Sequence, residues 1–85
     1  MNQLEQEIIN TIAEEAAVDK GEINLDSNLY DLGIDSLSSL EIVVALEKKY
    51  DIRISENRLK KIDNIRDIIR VVSDELKKKG RNHVA

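Results

Sequence analysis

The chain has 85 residues with 13 Lys and Arg against 17 Asp and Glu, a formal net charge of −4; this allows one small domain and excludes a two-domain enzyme. Hydrophobic residues at 41% and charged residues at 35% are the composition of a chain that folds. The complete lack of cysteine excludes disulfides, a thiolate nucleophile and a cysteine-based zinc site. Isoleucine, leucine and valine dominate, and Tyr30 and Tyr50 are the sole aromatic residues, so the core is aliphatic. The longest apolar run, residues 42–46, falls far short of the roughly 20 residues that span a bilayer. Residues 1–21 carry Glu5, Glu7, Glu14 and Glu15 with no basic stretch ahead of an apolar one, unlike a secretory signal. A cytoplasmic location is the resulting expectation.

Charge is unevenly spread. Residues 1–35 hold nine acidic side chains against Lys20 alone, whereas residues 36–85 hold twelve basic against eight acidic. The basic half lacks interleaved aromatics to stack bases, and the acidic half repels phosphates, so nucleic acid is not an expected partner.

Taken in chain order, the first predicted helix covers residues 3–16. Asn2 stands three before Glu5 in capping-box spacing, and Leu4, Ile8, Ile12 and Ala16 line one face. Residues 17–35 lose that periodicity. Gly21, Gly33, Asp19, Asn24, Asp26 and Asn28 are turn formers, while Ile23, Leu25, Leu29 and Leu32 anchor the segment, which reads as a long loop. Loops of this length in small domains usually serve function, and this one ends at Ser36.

A second helix is predicted over residues 36–50, with Asp35 as N-cap, Ile42, Val43, Leu46 and Tyr50 facing the core, and Lys48 and Lys49 suiting its negative end. Leu37, Leu40 and Val44 widen the apolar surface beyond a core stripe, which implies either extra burial or a contact patch. Ser55 caps a short helix through Ile62 with Leu59 inward. The last helix is predicted over residues 65–79, started by the Asn64 and Asp67 pair and ended by Lys77, Lys78, Lys79 and Gly80. Residues 81–85 are expected to form a frayed tail in which His83, the single histidine, is solvated. The fold class is thus all-α, a four-helix bundle of three longer helices and a short third, with one long loop between the first and second. The whole chain reads as one domain, and no feature calls for an oligomer, so a monomer is expected.

Acid–base chemistry near neutrality has only His83 to draw on, and no metal-ligand cluster is visible, so catalysis by the polypeptide itself is not expected. The sharp feature is Asp31-Leu32-Gly33-Ile34-Asp35-Ser36-Leu37, a glycine turn that delivers a serine to the first turn of an amphipathic helix. Capping chemistry alone explains Gly33, Asp35 and Ser36 without any function. However, this motif, followed by Ser39-Leu40-Glu41-Ile42-Val43-Val44-Ala45-Leu46-Glu47 and then Tyr50-Asp51-Ile52, closely resembles the acyl carrier protein family. The resemblance extends over nearly the whole chain, in the order of the family's helices.

That resemblance implies Ser36 as the attachment point of 4'-phosphopantetheine, donated by coenzyme A, with Gly33, Asp35 and Leu37 around it. Asp35 is implied to assist the phosphopantetheinyl transferase that installs the arm. Leu37, Leu40, Glu41, Val44 and Glu47 are implied to meet partner enzymes: acyl-loading enzymes, synthases and acyltransferases. The prosthetic arm supplies the thiol that the chain lacks, and its phosphate is expected near the N–H groups and positive dipole end of the second helix. An acyl chain is expected to slip between the aliphatic helices. Members serving fatty acid synthesis usually have a strongly acidic second helix and an acidic region after it, whereas this chain has Ser38 and Ser39 at the start of that helix, Lys48 and Lys49 at its end, and Arg58, Lys60 and Lys61 in the third. Carriage of a fatty acyl, modified lipid or polyketide chain is therefore implied, with aminoacyl or peptidyl carriage as an alternative. An unmodified helical interaction module is the rival from a different class.

Overall fold

The computed structural model describes residues 2–83, with side chains described through Gly80. Four helices follow one another: α1 (Gln3–Ala16), α2 (Ser36–Tyr50), α3 (Glu56–Leu59) and α4 (Ile65–His83), with 3₁₀ turns at Lys20–Glu22 and Tyr30–Leu32 in the long loop. No strand forms among the described residues; an isolated antiparallel bridge pairs Asn28 with Asn64.

Each helix start is closed by the residue its sequence offers. Asn2 Oδ1 accepts from the Glu5 N–H at 2.8 Å and Glu5 Oε1 accepts from the Asn2 N–H at 2.9 Å, the reciprocal box expected of that spacing. Asn64 and Asp67 repeat it at α4, at 2.9 and 3.3 Å. Ser55 Oγ caps α3 through the Arg58 N–H.

The helices bury one aliphatic interior. Ile8, Ile12, Ile42, Leu46, Ile65 and Val72 are entirely inaccessible to solvent, and α1 packs chiefly on α2. Burial of such side chains is worth about 1.5–3 kcal/mol each, and this is what holds the short helices helical.

The long loop is anchored by more than its apolar residues. The Leu29 N–H donates to Asp63 O at 3.1 Å, the Ile65 N–H to Ser27 O at 3.1 Å and the Arg66 N–H to Leu25 O at 2.8 Å, so residues 25–29 are stapled to the start of α4. Ile23, Leu29 and Ile34 then point into the core. The Arg66 guanidinium adds a bridge to Asp26 at 3.0 Å.

Charged groups tie the short α3 to α4. Arg58 reaches Asp74 at 2.8 Å and Glu75 at 3.1 Å. These pairs hold the Asp74 carboxyl below its ordinary range, the hydrogen bond from Arg58 contributing most. As partly exposed pairs they add about 0.2–1 kcal/mol each.

Three expectations are corrected. The last helix does not stop at Gly80 but continues to His83. Lys79 Nζ reaches across to Asp51 Oδ2 at 3.1 Å and Tyr50 O at 3.2 Å, so it caps the carbonyl end of α2 rather than of its own helix. A glycine inside a helix costs only about 1 kcal/mol, and Gly80 is carried through. Of the expected frayed tail, residues 81–83 are thus helical, and residues 84–85 lie outside the described chain. The short third helix also closes earlier than Ile62, at Leu59.

Tyr50 joins α2 to α1 through a polar contact, as does Lys49, whose Nζ donates to the buried Thr11 Oγ1 at 3.4 Å. The Tyr50 hydroxyl donates to Glu7 Oε1 at 2.9 Å, and burial, then the bond to Glu7 and its charge, push the phenol up to about 12. The folded state therefore favours the protonated phenol relative to an unfolded tyrosine near 10. That stabilisation is complete below pH 10 and is lost as pH rises towards 12. Tyr50→Phe is expected to lower stability by about 1 kcal/mol at neutral pH. The difference from wild type should close between pH 10 and 12 in denaturant titrations; a difference that stays constant across that range contradicts the assignment.

Candidate functional site

The head of α2 is built by the turn before it. Gly33 adopts φ 78, a left-handed conformation that costs a side-chain-bearing residue about 1–2 kcal/mol, and this lets the Gly33 N–H close on Tyr30 O and the Ile34 N–H on Leu29 O, both at 3.0 Å. Nothing lies within 4 Å of where a Cβ on Gly33 would sit, so its glycine serves the backbone turn. Ile34 is then buried, and the chain emerges again at Asp35 and Ser36.

Asp35 caps the helix from extended backbone, its Oδ1 accepting from the Ser38 N–H at 2.8 Å. The N–H and then the hydroxyl of Ser38, with the Leu37 N–H, hold its carboxyl below the usual range, so Asp35 stays ionised at the helix start. The Ser39 N–H is bonded to Asp35 O at 2.9 Å. Donors expected to be open to a phosphate at this terminus are in large part committed to Asp35.

Ser36 is the first helical residue and is exposed. Among the described residues nothing hydrogen-bonds its Oγ, so the hydroxyl is open to an incoming reagent. The fold leaves four large apolar side chains in solvent: Tyr30 at 75% in the preceding loop, and Leu37 at 66%, Leu40 at 51% and Val44 at 39% along α2. Of the two readings of the wide α2 stripe, extra burial is thus overturned for Leu37, Leu40 and Val44.

Beside Ser36 opens a cleft of about 280 Å³ between α2 and the α3 region. Leu29, Ile34, Leu40, Val43, Leu59 and Ile62 form its apolar walls; Tyr30, Asp35, Ser36, Ser39, Lys60 and Asp63 supply its polar groups. That volume is nearly twice the roughly 150 Å³ of an apolar cavity that accepts benzene.

The remaining residues singled out in the sequence divide. Glu41 is exposed on α2 with Leu37 and Val44. Glu47 is half-buried, and its Oε2 accepts from the Ile54 N–H at 2.9 Å, so this carboxylate braces the turn leading to α3. Tyr30 escaped the sequence reading altogether. Its exposure follows from the pairing of Leu29 with Asp63, a contact 34 positions apart that no local pattern signals. Lys60 was singled out in the sequence for its charge alone; its place on the cleft rim comes from the structure. Among the described residues no three acidic or histidine side chains converge as metal ligands would.

Comparison with known proteins agrees with this geometry. The family described as phosphopantetheine attachment site matches residues 6–72. A relative from Phytoplasma mali (strain AT), named acyl carrier protein, is 35% identical over 72 residues, 84% of this chain and 86% of its own. The crystal structure of an acyl carrier protein from Thermotoga maritima superposes with a TM-score of 0.78 at 20% identity, covering 92% of this chain and 98% of that one. A hexanoyl form of the acyl carrier protein of the actinorhodin polyketide synthase from Streptomyces coelicolor superposes with a TM-score of 0.75 at 23% identity, covering 84% of this chain and 87% of that one. These two structures share the fold, and the sequence matches carry the relationship further: the chain belongs to the acyl carrier protein family, whose attached cofactor is 4'-phosphopantetheine.

Proposed function

We propose that this protein carries acyl groups between enzymes on a 4'-phosphopantetheine arm esterified to the Ser36 hydroxyl. The observation that supports it most directly is an exposed, unpartnered serine hydroxyl at the head of α2, a helix that carries exposed apolar side chains, opening on an aliphatic cleft. The residues present suit the arm: Ser36 Oγ is accessible for a phosphodiester, and no neighbouring side chain blocks it. When bound, the arm supplies the thiol on which acyl groups ride as thioesters, chemistry that a chain without cysteine cannot offer.

The polypeptide contributes address and shelter. Leu37, Leu40 and Val44, with Glu41 among them, offer the surface on which the phosphopantetheinyl transferase and then the acyl-loading, synthase and acyltransferase enzymes dock. The chain has no catalytic task of its own; covalent attachment keeps each cargo at high effective concentration for whichever enzyme docks. Asp35 shapes the loop end that presents Ser36. The cargo fitting the cleft is an aliphatic acyl chain. The lysines at the end of α2 and beyond α3, and the engagement of Glu47 by the backbone, leave Glu41 as the lone free carboxylate of the docking strip. That charge pattern favours enzymes of a specialised lipid or polyketide pathway over those that present basic patches.

Incubation with coenzyme A and a phosphopantetheinyl transferase is expected to raise the intact mass by one arm. Thiol titration should then rise from none to one per chain, since the apo chain has no cysteine. An unchanged mass and a thiol count still at zero would leave the chain as an unmodified interaction module.

A further inference from the structure

Lys60 is the single cation lining the cleft that Ser36 opens on. Its backbone N–H ends α3 on Arg58 O and Glu56 O, but its side chain is exposed, and among the described residues it makes no ion pair and no side-chain hydrogen bond. This contrasts with Arg58, two residues before it, which is committed to Asp74 and Glu75, and with Lys79, which is committed to Asp51. Lys61, adjacent in sequence and equally exposed, does not line the cleft.

A phosphodiester on Ser36 adds a negative charge next to the ionised Asp35, whose carboxylate already takes the Ser38 N–H. Asp63 brings a further carboxylate to the same rim. The helix terminus is therefore a poor anion site here, and the compensating charge has to come from across the cleft. Ser36 and Lys60 line the same cleft, and charges within the roughly 10 Å screening length of 0.1 M salt act on one another.

We infer that Lys60 pairs with the phosphodiester of the arm on Ser36 and so lays the arm across the cleft mouth, towards Leu59 and Ile62. Lys60 is thus a positioning residue: by drawing the arm towards α3 it points the cargo into the aliphatic walls rather than out along α2. This assignment rests on Ser36 being the modified residue, and it concerns a residue on another element.

The test compares apo and holo forms of the wild type, Lys60→Gln, Lys60→Arg and Lys61→Gln, all verified by intact mass. The change in Tm on attachment of the arm is expected to be less favourable in Lys60→Gln than in wild type by about 1–5 °C. Lys61→Gln, with the same net charge, should match wild type, and Lys60→Arg should restore most of the difference. About 1 M NaCl should erase it. In holo wild type, nuclear Overhauser contacts should join the Lys60 side-chain methylenes to the methylene next to the phosphate, and the phosphorus resonance should move in Lys60→Gln only. Equal behaviour of Lys60→Gln and Lys61→Gln, or a holo form without those contacts, overturns the role of Lys60 and leaves the carrier reading standing. Failure of the wild type to gain mass defeats the carrier reading itself.

Discussion

Ser36→Ala should leave the folded domain unchanged and abolish attachment of the phosphopantetheine arm completely. The hydroxyl is exposed and bonded to nothing among the described residues, so its removal is expected to move stability by no more than about 0.5 kcal/mol. Asp35 continues to cap α2 through the Ser38 N–H, which keeps the helix start in place. Ser38 and Ser39 stand two and three residues further on; Ser38 interacts with the Asp35 cap and Ser39 lines the cleft. Their alanine variants should still accept the arm, which separates the position of the hydroxyl from mere abundance of serine. A mass gain that persists in Ser36→Ala, measured beside a wild-type control, would place the modification elsewhere and remove the basis of the proposed function.

Loading an octanoyl chain onto the holo protein should raise its Tm by several degrees at least. The cleft beside Ser36 is walled by Leu29, Ile34, Leu40, Val43, Leu59 and Ile62 and measures about 280 Å³. Each methylene taken from water contributes about 0.8 kcal/mol, so burial of half of an eight-carbon chain is worth about 3 kcal/mol. A domain of this size has a total stability on the order of 4–13 kcal/mol, and 1 kcal/mol corresponds to about 4–8 °C in Tm. An acetyl group, with almost no apolar length, should produce little of this effect. Octanoyl and acetyl forms that melt together would mean that the chain stays in solvent, and the cleft would then have no part in carriage.

The helices were legible because their signals are local. Capping boxes at Asn2 and Asn64, the Asp35 cap and four-residue apolar spacing act within a turn or two, and α1 and α2 lie where those patterns put them. The end of α4 was misjudged because Gly80 and the lysine run carry the signs of a helix stop. The competing influence was the reach of Lys79 to the end of α2, a bond between residues far apart in sequence. The motif around Ser36 was legible for the same reason as the caps: its glycine turn and its serine are adjacent in the chain.

The sequence by itself determined the all-α class, the helix starts, the aliphatic character of the core and the serine at the head of α2. Only the tertiary structure decided that Leu37, Leu40 and Val44 remain in solvent, that Tyr30 is exposed as well, that the Glu47 carboxylate is spent on the Ile54 N–H, and that Lys60 and Ser36 line one cleft. The reason is physical. Periodicity states which side chains share a helix face, but which part of that face is covered depends on where the 25–29 segment is stapled to α4 and where Arg58 draws α3. Both contacts join residues more than a dozen positions apart, beyond the range of any local pattern.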